Sequence, residues 1–189
     1  VAGRGSATDC YNTGAISGSG GFVGGIPGDG STVTYCYNTG TVSGGGTHGS
    51  VGGIAGRGST VTYCYNLSAV SGNDGSFSNN IGGIVGYGSP VVTNCYNAGS
   101  VSNGYDVGGI SGGYGSTITN CYNAGTVSGI DKSSHVGGII AGNGTVENGY
   151  YLTDCVTDID ISKYGIALTE SQMRQKESFA GFDFDAVWT

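Results

Sequence analysis

The sequence predicts an all-β fold: a parallel β-solenoid, β-helix-like, of about six coils, followed by a short C-terminal cap containing a helix. Three observations predict it. A Cys-Tyr-Asn triplet recurs at Cys10, Cys36, Cys64, Cys95 and Cys121, in steps of 26, 28, 31 and 26 residues, and a period in that range marks a stacked repeat architecture. Each triplet belongs to a unit of three short β-prone segments separated by glycine and asparagine corners. Glycine supplies 41 of the 189 residues against two prolines, a density that disfavours helix through the repeats. Glycine does not fall at every third position, which excludes collagen, and the regularly placed Tyr, Val and Ile argue against disorder.

The first segment of each unit is aliphatic-Gly-Gly-Ile, at Val23–Ile26, Val51–Ile54, Ile81–Ile84, Val107–Ile110 and Val136–Ile139. The second runs aliphatic-Thr-x-Cys-Tyr-Asn and is led by Val33, Val61, Val92 and Ile118. The third is a short strand ending in serine, at Ala15–Ser17, Thr41–Ser43, Ala69–Ser71, Ser100–Ser102 and Thr126–Ser128. Asn/Gly pairs such as Asn38-Thr39-Gly40 are expected to form tight corners of positive φ between the second and third segments. One unit has too few inward apolar side chains to offset the entropy of ordering its backbone, so the coils must stack. A right-handed sense is expected, the usual one for parallel β crossovers.

Stacking places equivalent residues in columns. Cys10, Cys36, Cys64, Cys95 and Cys121 then form a row with parallel Cβ vectors, a poor geometry for disulfides, and buried free thiols are expected. Zinc usually takes closely spaced Cys pairs, which the chain lacks, so no metal and no cofactor is expected. Strand alternation puts Tyr11, Tyr37, Tyr65, Tyr96 and Tyr122 on the face opposite the cysteines, outward if the cysteines face in and inward if they do not. A tyrosine column there stabilises neighbouring coils or, alternatively, offers a surface to sugar rings. Arg4, Asp29 and Arg57 fall in one register, ordered plus, minus, plus along the axis.

Length varies between the third segment and the next Gly-Gly-Ile, so these loops leave one corner and gather on one side, where repeat proteins carry their contacts. The candidate contact residues are His48, Asp74, Tyr105, Asp106, Asp131, Lys132 and His135. Glycosidic cleavage needs two carboxylates converging at a fixed distance, whereas Asp29, Asp74, Asp106 and Asp131 occupy different registers. Catalysis is therefore not expected, and a polysaccharide-cleaving β-helix is the remote alternative. Six Lys+Arg against thirteen Asp+Glu give a net charge of −7, which argues against nucleic acid as a partner. No apolar run approaches the ~20 residues that span a bilayer.

The repeats are read as residues 1–152 and the cap as 153–189. Gly149-Tyr150-Tyr151 is a degraded sixth copy with glycine in the cysteine place. Thr169 and Gln172 form a capping-box pattern opening a helix expected to reach about Ser178. The aromatic residues after it, Phe179 to Trp188, are expected to cover the last coil's edge and core. The opening Val1–Gly5 repeats the pattern of Ile54–Gly58, so further repeats are expected upstream and the missing leader carries no weight.

The unit Gly-Gly-Ile-x-Gly-x-Gly-Ser-Thr-Val-Thr-x-Cys-Tyr-Asn-x-Gly-x-Val-Ser-Gly resembles the GLUG repeat, a glycine-rich motif of bacterial cell-surface and secreted proteins, among them adhesin-like proteins. The closing Leu168–Trp188 resembles the segment that follows such arrays. The resemblance implies an extended β fold, an extracellular or cell-surface location in a bacterium, and no catalytic motif. The function expected is a non-catalytic adhesive or spacer module that meets a host or microbial surface glycan or protein. A carbohydrate-binding module, using the stacked tyrosines with loop Asp and Asn, is the alternative.

Overall fold

The computed structural model describes residues 2–46, 48–72, 79–131, 134–156 and 164–188. The chain winds as a parallel β-solenoid, and among the described residues every strand pairing is parallel, with the register slipping between Gly5 and Ala7 and between Val101 and Gly104. Each turn contributes to three sheets. The aliphatic-Gly-Gly segments build a five-stranded glycine sheet from Phe22–Gly24, Ser50–Gly52, Asn80–Gly82, Asp106–Gly108 and His135–Gly137. The Val-Ser segments build a five-stranded serine sheet from Ile16–Gly18, Val42–Gly44, Val70–Gly72, Val101–Gly104 and Val127–Gly129. A twelve-stranded sheet holds the Thr-Val-Thr and Tyr-Asn segments, joined where Ser116–Asn123 runs unbroken through both. Five turns are complete. Instead of a full sixth coil, Gly144–Leu152 adds a sixth level to the large sheet, and among the described residues that level meets the serine sheet through a single parallel bridge from Val156 to Val127.

The core divides into two columns. Ile26, Ile54, Ile84, Ile110 and Ile139 meet Val33, Val61, Val92, Ile118 and the cysteines between the glycine sheet and the large sheet. Val23, Val51, Ile81, Val107 and Val136 meet Val42, Val70, Val101 and Val127 between the glycine and serine sheets. The Gly-Gly pair is what lets these columns close. A Cβ on the first glycine would overlap a carbonyl three residues on, Ala55 O at Gly52 and Ser111 O at Gly108. A Cβ on the second would strike the next turn's backbone and the asparagine of the Cys-Tyr-Asn triplet: Asn66 at Gly53, Asn97 at Gly83, Asn123 at Gly109. The two motifs of the repeat are thus halves of one contact. In the last turn Tyr151 stands in the asparagine column, and its ring fills the space beneath Gly138.

Those asparagines form a buried ladder. Asn12 Nδ2 donates to Asn38 Oδ1, Asn38 to Asn66, Asn66 to Asn97 and Asn97 to Asn123, at 2.7–2.8 Å. Each Nδ2 also donates to the carbonyl two residues on, as from Asn38 to Gly40 O at 2.7 Å. Asn123 ends the ladder on the Cys155 thiol at 3.5 Å. The expected corner at Asn-Thr-Gly is therefore held by these side-chain bonds rather than by positive φ. The left-handed residue is instead the one before each cysteine of the repeat and before Gly149, which takes the cysteine place: Asp9, Tyr35, Tyr63, Asn94, Asn120 and Asn148 have φ of 50–54°.

No cysteine is in a disulfide. Cys36, Cys64, Cys95 and Cys121 are buried, and each thiol donates to the threonine carbonyl two residues back at 3.2 Å, across the left-handed kink. Cys10 departs from the expected buried row and is exposed. Arg4, Asp29 and Arg57 pair in register as the sequence predicted, with Arg4 3.4 Å from Asp29 and Arg57 bidentate at 2.8 and 3.0 Å.

Beyond the solenoid, Ile166–Leu168 pairs with the edge at Tyr150–Leu152. The capping box of Thr169 and Gln172 is formed, but helix α1 covers only Glu170–Met173 and stops short of Ser178. Its last carbonyls are taken up by turns at Arg174 and Gln175, and a 3₁₀ turn follows at Lys176–Ser178. Among the described residues no helix is long and apolar enough to cross a membrane.

Candidate functional site

Of the seven candidate contact residues, the structure brings Tyr105, Asp106 and His135 together. Asn80, Asp106 and His135 stand in one column at the entrance of the glycine sheet, on consecutive turns. Asp106 is buried, and its Oδ1 accepts from Tyr114 Oη at 2.9 Å and from His135 Nδ1 at 2.7 Å. With its amide turned to suit its neighbours, Asn80 donates to Asp106 Oδ2 at 3.3 Å and to Gly112 O at 3.2 Å. Tyr105 meets the His135 ring edge-on at 5.0 Å. Burial, then the bond to Asp106 and its charge, push the Tyr114 hydroxyl up to about 12, so it stays a proton donor at neutral pH. One carboxylate gripped by several donors is a latch between turns. A second carboxylate facing it across a cleft, which glycosidic cleavage would need, is not among these partners.

The other candidates stand apart from this cluster. His48 is exposed with φ of 66°, in the loop one turn below Asn80. Asp131 accepts from the Ser134 hydroxyl at 3.5 Å. Asp74 and Lys132 lie outside the described residues. No group of three or more His, Cys, Asp or Glu placed to hold a metal occurs among the described residues.

A second site lies on the tyrosine flank. Tyr11, Tyr37, Tyr65, Tyr96 and Tyr122 point outward and stack ring on ring at 5.0–5.3 Å, within 9° of parallel. Stacking along the axis spends the faces of these rings on each other, so the ladder shows its edges and hydroxyls to solvent. Burial raises the Tyr96 hydroxyl above its ordinary range, and Tyr122 further. A shorter stack runs beside the ladder, Tyr35 on Tyr63 at 4.9 Å, and continues upward as Asn94.

The C-terminal segment lies across the upper part of this flank. Phe179 and Phe182 pack on Tyr122 and Tyr150, Trp188 packs on Tyr96 and Tyr122, and Tyr150 Oη donates to Ala180 O at 3.2 Å. Between this segment and the two tyrosine stacks is an open groove of about 800 Å³, walled by Tyr63, Tyr65, Asn94, Tyr96, Phe184 and Trp188 among others. Sequence reasoning placed the ladder but missed Tyr35, Tyr63, Asn94 and Trp188 as a site. The signal was the variable residue before each cysteine, where Asp and Asn betray a left-handed position and two tyrosines break the pattern. No family model, curated protein or solved structure matches the chain.

Proposed function

We propose that this chain is a non-catalytic adhesive and spacer module, a stiff stack of coils carried by an extracellular or surface-attached bacterial protein. One observation carries the reading. The polar and aromatic side chains repeated in every turn are spent on ladders along the axis: asparagine to asparagine, tyrosine on tyrosine, and backbone N–H of one cysteine to the thiol of the next. A buried, fully hydrogen-bonded asparagine ladder of this kind makes the stack rigid and fixes its register. The bacterial surface setting rests on the resemblance of the repeat to the GLUG motif.

The carbohydrate-binding reading draws its support from the groove rather than from the ladder, whose ring faces are occupied. A flow assay tests the adhesive reading. Beads carrying the chain should be retained on at least one surface among epithelial cells, bacterial cells and immobilised polysaccharides, under shear that removes bare beads. Retention equal to that of bare beads on every surface would reject it. Shortening of a polysaccharide by the chain would replace it with an enzymatic function.

A further inference from the structure

We infer that the groove between the tyrosine stacks and the C-terminal segment is a binding site for a neutral glycan, contacted by Tyr63, Asn94 and Trp188. The inference names the ligand class of the rod and so rests on reading the chain as a binding module.

The backbone position before each cysteine of the repeat, and before Gly149 in the sixth level, is left-handed, and four of the six use Asp or Asn there, which tolerate that conformation. Tyr35 and Tyr63 adopt the same φ of 54° with a bulky side chain that disfavours it. Burial does not repay them, since they are 55% and 38% exposed. What they gain is a ring stack beside the groove. The column continues with Asn94, which carries no ring, so the upper face of Tyr63 is left open towards the groove at the level of Asn94.

The Asn94 amide makes no hydrogen bond among the described residues, whereas Asn148 and Asn120 above it bond to each other at 2.9 Å. Trp188 lines the same groove with its ring stacked on Phe182 at 4.7 Å, while its indole N–H is shielded from solvent and so out of a ligand's reach. A tyrosine ring, an open amide and an indole ring therefore line one space.

No Lys, Arg, Asp or Glu lines that space, and the chain carries −7 overall, so a polyanion has neither a partner nor a favourable field there. A pyranose meets the requirements. Its C–H face packs on an aromatic ring, and its hydroxyls donate and accept, matching both ends of an amide. A proline-rich peptide, the other frequent guest of aromatic grooves, offers mainly carbonyl acceptors and leaves Asn94 Oδ1 unmatched. The volume falls in the range of ~300–1,000 Å³ typical of ligand clefts.

Trp188 is the chain's one tryptophan and reports on the groove directly. The chain is titrated with cellohexaose, mannohexaose and maltohexaose, and separately with hexagalacturonate and decaproline, while tryptophan emission is followed. At least one neutral hexasaccharide should give a saturable change. Tyr63→Asn keeps a residue suited to the backbone and removes the ring, so the fold is retained, and it should weaken binding about tenfold. Asn94→Asp should weaken it similarly, whereas Tyr11→Ala, on the same flank three turns from Asn94, should leave it unchanged. Saturation by decaproline or hexagalacturonate alone would overturn the ligand class. Unchanged sugar binding in both Tyr63→Asn and Asn94→Asp would overturn the site. Binding of none of the probes would also overturn the site, and bead retention under flow would still decide the adhesive reading on its own.

Discussion

At the scale of single residues, the asparagine ladder is where one atom matters most. Asn97 accepts from Asn66 and donates to Asn123 Oδ1 and Gly99 O, all in the interior. Asn97→Leu removes those bonds while its neighbours stay buried, and should cost about 2–4 kcal/mol in urea unfolding. Asn12→Leu, at the end of the ladder with one neighbour to lose, should cost less. The thiols make a prediction of opposite character. Burial pushes Cys36 up from 9.0 to about 11, and the bond with Cys95, then burial, hold Cys64 higher still. Between those values the unfolded chain releases protons that the folded chain retains. The stability these thiols contribute is thus present below pH 9 and lost as pH rises towards 11. Denaturant midpoints should be flat with pH between 6 and 8 and fall above 9, and Cys36→Ala should flatten the fall. At neutral pH a thiol reagent should modify Cys10 quickly and the remaining five only on unfolding.

At the scale of the repeat, glycine acts by what it leaves empty. Gly53→Ala would drive a methyl into Gly83 O and the Asn66 amide, with backbone on one side and a ladder on the other. Neither neighbour can retreat cheaply, and the variant should lose about 3 kcal/mol. Gly20→Ala and Gly21→Ala place the same methyl in open space and should lie within about 0.5 kcal/mol of the parent. Thermal or urea unfolding of the three variants together checks the contrast. The columns, the tyrosines opposite the cysteines, the Thr169 capping box and the Arg4–Asp29–Arg57 pairing were legible in the sequence, because each follows from register or from neighbours within four residues. The purpose of the second glycine was not, since the atom that excludes a side chain there comes from the asparagine at the far end of the repeat. The left-handed kink was hidden for a different reason. Tyr35 and Tyr63 do not carry the usual signature of such a backbone, and the Asn-Gly corner that does carry it is held by side-chain bonds instead. The helix ended early for want of a partner, as none of its residues is buried and an isolated turn has little to extend it.

At the scale of the whole molecule, the stack must end somewhere, and the C-terminal segment ends it in two ways. Ile166–Leu168 occupies the strand edge offered by Tyr150–Leu152, which would otherwise present unpaired N–H and C=O groups to any passing strand. Phe179, Phe182 and Trp188 then fold back along the flank, leaving Tyr150 only 2% exposed. The two roles are separable. Replacing Phe179, Phe182 and Trp188 by serine keeps the edge strand and strips the aromatic cover. That variant should stay largely monomeric but unfold at lower temperature, because burial of large rings is worth several kcal/mol in sum. Deleting residues 164–189 removes both, uncovering a flat parallel edge beside the Tyr122 and Tyr150 rings. Edge and apolar patch together are the combination that templates strand addition, so the truncated chain should elute as concentration-dependent oligomers or precipitate. Light scattering behind size exclusion distinguishes the outcomes. A truncated chain that remains monomeric with the parent's melting temperature would mean that the stack ends safely on its own edge, and that the C-terminal segment is held there to shape the groove rather than to close the fold.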